Sequence, residues 1–145
     1  MLSRLTFAAL ALFVAGVFLY TGAAQAQEKG SKVLAKGVFH KAEKAGTGTA
    51  TVYQLADGKR VLRLSNFATD NGPDLHVRLI AADDAKDTAS VAKTDHVELG
   101  KLKGNKGDQN YDVPADVDLG KHKVVSIWCN RFRVNFAAAP LTAAR

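Results

Sequence analysis

One cysteine, Cys129, is all that the 145-residue chain contains, and Met1 is its only methionine. A single thiol rules out any intramolecular disulfide, so the fold must be held by its core rather than by staples. The same shortage removes structural zinc, which needs several ligands of this kind. No Cys-x-x-Cys-His is present to attach a c-type haem covalently. Blue copper takes two His, a Cys and usually a weak axial Met. No Met follows position 1 and no His follows Cys129, so no copper or other metal site is expected. There is also no nucleophile elbow, His-Glu-x-x-His, glycine-rich phosphate loop or evident carboxylate pair. Enzyme activity therefore has the least support among the residues. A block of like charge is missing too. The formal net charge is +6, but Lys and Arg are interleaved with Asp and Glu along the whole chain. That reads as a solvated basic surface, and no nucleic-acid partner is expected.

What is present begins with a leader. Arg4 supplies a positive start, Leu5 to Tyr20 is an apolar run, and Ala24-Gln25-Ala26 has the small–x–small pattern of a signal-peptidase site. Residues 1–26 are read as a signal peptide cleaved before Gln27; the alternative is an uncleaved anchor, since roughly 20 apolar residues span a bilayer. The expected location is outside the cytoplasm, periplasmic or secreted, with membrane contact only through the leader before cleavage. Cleavage leaves 119 residues, enough for one domain with its own core. Residues 27–36 are read as an N-terminal lead-in and 37–141 as the domain.

Short alternating or β-branched runs, separated by turn residues, predict an all-β chain. Strands are expected near Leu34–His40, Thr49–Leu55, Arg60–Phe67, Leu75–Ala81, Val97–Leu102, Asn110–Val113, Lys123–Cys129 and Phe132–Ala137. Asp57-Gly58, between two apolar runs, predicts a tight hairpin. Leu75, Val77 and Leu79 alternate with His76 and Arg78, as one buried sheet face requires. Residues 81–94 (AADDAKDTASVAKT) carry no strand pattern and read as a long loop, with at most a helical turn. Strands this short at this spacing predict two packed antiparallel sheets, a β-sandwich.

The densest apolar stretch is Val124 to Cys129, followed by Asn130-Arg131 and then Phe132, Val134 and Phe136. A hairpin with Asn130-Arg131 as its turn would place Cys129 at a strand end. Two readings of that thiol stand side by side. Beside Trp128 and Ile127 it can be a small buried hydrophobe. At a strand end it can instead be reached by a partner or cofactor, with Arg131 and Arg133 favouring its thiolate.

Several motifs, in order and spacing, resemble the DM-thirteen domain. They are Asn66-Phe67; Asn71-Gly72-Pro73-Asp74-Leu75; Leu102-Lys103-Gly104 with Gly107-x-Gln109-x-Tyr111-x-Val113-Pro114; and Val125-Ser126-Ile127-Trp128-Cys129 with Phe132, Val134 and Phe136. The resemblance runs from about Gly37 to Leu141. It implies an exported electron-transfer module whose hallmark cysteine, here Cys129, serves as a redox thiol or as the ligand of a prosthetic group such as haem. A single thiolate can bind haem without covalent attachment. His40, His76, His96 and His122 are then candidate second ligands, and His76 leads because it shares a strand face with Arg78, which can pair with a propionate. As a bare thiol, Cys129 has no resolving partner in the chain, so any disulfide would be intermolecular, with a redox protein. The competing reading is a non-catalytic binding or adhesion sandwich that presents loops such as Asp70–Asp74 and Gly104–Gln109 to a cell-surface protein, with Cys129 structural.

Overall fold

The computed structural model describes residues 30–145. The signal-peptide reading of residues 1–26 lies outside them. Among the described residues no helix is long and apolar enough to cross a membrane.

Among the described residues, ten strands form two five-stranded antiparallel sheets packed as a sandwich. In chain order they are β1 (Lys32–Val38), β2 (His40–Lys41), β3 (Gly46–Gln54), β4 (Arg60–Thr69) and β5 (Leu75–Ile80), followed after the helical turn α1 (Ala89–Ala92) by β6 (His96–Lys101), β7 (Gln109–Val113), β8 (Val124–Cys129), β9 (Val134–Pro140) and β10 (Thr142–Ala143). One sheet runs β10-β1-β3-β4-β7 and the other β2-β9-β8-β5-β6. The expected strands are all present, with two differences at the start. The first splits into β1 and β2, one in each sheet. Residues 32–36, read from sequence as lead-in, belong to β1 and pair with β3. Ala35 is buried and Leu34 half-buried there, but Lys32, Val33 and Lys36 are exposed, so no apolar pattern marks the strand ahead of Leu34.

The β3–β4 hairpin forms where Asp57-Gly58 predicts it. Asp57 accepts a hydrogen bond from the Lys59 N–H at 2.9 Å, and Gly58 takes φ +89°, a left-handed conformation natural to glycine. Between the sheets, period-2 alternation delivers Val52, Leu62, Leu64, Val77, Leu79, Val125 and Ile127 to one core with Phe67 and Phe136.

The β8–β9 connection departs from expectation. It has four residues rather than two, because Cys129 pairs with Val134 and Asn130 to Arg133 form the turn. Phe132 therefore lies in the turn, 61% exposed, instead of starting the second arm. Arg133, at φ +55°, takes the left-handed position that closes the longer turn.

Residues 81–95 contain the helical turn α1 and do more than connect. Ala85 and Val91 pack with Ile80, Val124, Trp128 and Ala138 into a second apolar cluster on the outer face of the β8 sheet. This is why β8 is covered on both sides, with all six of its residues buried.

Candidate functional site

β8 pairs with β5 through Leu75 opposite Cys129, His76 opposite Trp128 and Arg78 opposite Ser126. Alternation then sends the two faces of this strand pair to different environments. Leu75, Val77, Ile127 and Cys129 enter the sandwich core, whereas His76, Arg78 and Trp128 stand on the outer face.

The Cys129 side chain is fully buried. Its strand end is tied down, with the Asn130 N–H donating to the Asp74 carbonyl at 2.9 Å. Arg131 and Arg133 are both exposed on the turn while the sulfur faces the core. The expected thiol, open to a partner at a strand end, is thus at the strand end but closed off from solvent.

On the outer face, His76 and Arg78 meet as the alternation predicts, within a network that spans several elements. His76 Nε2 lies 2.8 Å from an Asp74 carboxylate oxygen, and Nδ1 faces Glu98 Oε1. Arg78 donates from Nε to Glu98 at 3.1 Å and from Nη2 to Asn130 Oδ1 at 2.8 Å, and its guanidinium lies 5.0 Å from the centre of the Trp128 ring. Asp74, Glu98, Asn130 and Trp128 were not singled out from sequence as partners of this pair. Glu98 carries a faint signal, as the polar residue between Val97 and Leu99, but only the β5–β6 register places it beside Arg78.

The donors do not fit a haem. The Cys129 sulfur and the His76 ring lie on opposite faces of one sheet, so they cannot flank one iron. Both His76 nitrogens are engaged by carboxylates, and Arg78 is engaged by Glu98 and Asn130. Of the other histidines, His40 bonds Asp84 at 2.6 Å, His122 lies 3.2 Å from Asp95, and His96 is exposed on β6. Among the described residues no group of three or more His, Cys, Asp and Glu side chains is placed to hold a metal ion.

The His40–Asp84 pair fastens the covering loop to β2 and makes its hold pH-dependent. Burial pushes His40 down, but the Lys41 carbonyl and the Asp84 carboxylate outweigh it and hold the pKa above the ordinary 6.5. Burial likewise opposes ionisation of Asp84, yet His40 and the Ala85 N–H bring it below the ordinary 3.8. A raised histidine stabilises the fold fully below its unfolded pKa, and that share is lost as pH rises through the folded value. The lowered carboxylate contributes above its unfolded pKa and is lost as pH falls through its folded value. The urea midpoint should therefore fall as pH rises from about 6 to about 8, with a flatter profile in His40→Gln. An equal slope in both proteins would place the titration elsewhere.

A family model described as Electron transfer DM13 matches residues 38–141. No curated protein and no solved structure matches the chain.

Proposed function

Since this chain belongs to the electron-transfer DM13 family, we propose that it is an exported electron-transfer or redox-linked module acting through Cys129, its only thiol. Family membership carries the reading, and the leader-like residues 1–26 support export to the periplasm or beyond. Haem is left out of this reading, because the Cys129 sulfur is buried in the packed core and His76 stands on the opposite face of the sheet. Cys129 instead works as a bare thiol that becomes reactive when the β8–β9 end of the core opens. It then exchanges with a disulfide supplied by a redox protein partner, since the chain offers no second cysteine.

Burial of the sulfur favours a second reading, a binding sandwich for a cell-surface protein in which Cys129 only packs. One experiment separates the two. Glutathione disulfide is added across a range of urea concentrations below the unfolding transition, and the modified fraction is followed by mass spectrometry. Opening of the hairpin end alone exposes little surface, so the redox reading expects a rate nearly independent of urea. A rate that climbs with the full urea dependence of global unfolding would make Cys129 a core residue and leave the binding reading.

A further inference from the structure

We propose that the β8–β9 turn, Arg131-Phe132-Arg133, is a docking tip for an acidic face of a partner protein. Its redox purpose rests on the reading above; its physical case does not. Phe132 is 61% exposed, whereas Phe67 and Phe136 are almost wholly buried. Arg131 and Arg133 flank it, both exposed and neither in an ion pair among the described residues. An aromatic ring between two guanidinium forks has the composition of an interface hot spot.

The tip also stands on a fixed base. The Asn130 N–H is held by the Asp74 carbonyl, and Asn130 Oδ1 accepts from Arg78. Such preorganisation lowers the ordering cost of binding.

The tip itself carries two cations and no carboxylate, and cations outnumber the carboxylates left unpaired around it. Strand directions bring the 42–45, 70–74 and 102–108 connections to the same end of the sandwich as this turn. Of the carboxylates there, Asp74 pairs with His76, Asp108 with Arg63, and Glu43 accepts from the Thr88 N–H. Asp70 and Glu43, which a neutral N–H leaves charged, stand against exposed Lys44, Lys106, Arg131 and Arg133. A protein face rather than a bilayer fits this tip. One phenyl ring buries little apolar surface, and even a whole myristoyl chain anchors only marginally. Guanidinium forks, by contrast, match carboxylates in bidentate geometry.

The test is titration of the purified protein with a fluorescent helical peptide carrying a glutamate stripe beside leucines, and in parallel with phosphatidylglycerol vesicles. At low salt the peptide should bind. Phe132→Ser, and Arg131→Ser combined with Arg133→Asn, should each weaken it about tenfold or more, the effect of one hot-spot residue. Asn at 133 keeps the left-handed turn, so the fold is retained. Lys59→Ser, on the hairpin at the opposite end, should leave binding unchanged. Peptide binding indifferent to the tip substitutions overturns the proposal, as does tip-dependent binding to vesicles without binding to the peptide. Tip-dependent peptide binding beside a Cys129 that never reacts with glutathione disulfide supports the docking tip and removes the redox reading alone.

Discussion

Iodoacetamide should alkylate Cys129 in the folded protein at least about a hundredfold more slowly than in the unfolded chain. The buried sulfur reacts only when the β8–β9 end opens, which costs part of a global stability of about 5 kcal/mol. The sulfur is fully buried between the sheets, with Leu75 paired on one side and Val134 on the other. Fraying from the turn is opposed by the Asn130–Asp74 bond at 2.9 Å. Substitution has a separate, energetic signature. Cys129→Ser keeps the shape but buries a hydroxyl with no partner provided, at a cost of about 1–3 kcal/mol. Cys129→Ala leaves a small void but no orphaned hydroxyl, so it should cost less than the serine. Alkylation rates by mass spectrometry and urea midpoints read both effects. A native rate within tenfold of the unfolded chain's would mean that the sulfur is open to solvent in the resting fold.

Asn135→Ala should be more damaging. Asn135 is completely buried and joins the covering loop to the sheet. Its Oδ1 accepts from the Ser126 hydroxyl at 2.9 Å, and its Nδ2 donates to the Ala85 and Asp87 carbonyls at 3.2 and 3.3 Å. Its backbone N–H donates to the Thr88 hydroxyl at 3.1 Å. Alanine strands one buried hydroxyl and two carbonyls together, for a loss of about 2–4 kcal/mol. With the loop released from its anchor, Trp128 gains water and its fluorescence should shift to the red. Ser126→Ala alone should cost about 1 kcal/mol, and the double variant less than the two losses combined, since both remove the same bond. A loss under about 0.5 kcal/mol with unchanged emission would mean that Ala85 and Val91 hold the loop by packing alone.

Much of the architecture was legible in short stretches. The alternation in Leu75–Leu79 marks which side chains face the core, and Asp57-Gly58 marks its hairpin, because both are dictated by neighbours a few residues away. The β8–β9 turn was legible only in outline. Phe132 has the spacing of a strand residue, but the pairing of Cys129 with Val134 leaves it in the loop. The His76–Arg78 pair was legible as a shared face, while Asp74, Glu98 and Asn130 reach it through strand register and a turn that no local pattern encodes.

From the residues alone came the all-β class, the resemblance to the family, the single thiol and the impossibility of an internal disulfide. Which way that thiol points was a tertiary decision. Val124 to Cys129 shows no clean alternation, because residues 81–95 cover the face that would otherwise meet water. Periodicity reports burial only when one face is wet. Once a remote segment dries the second face, only the pairing with β5 shows that Trp128 looks outward and Cys129 looks into the core.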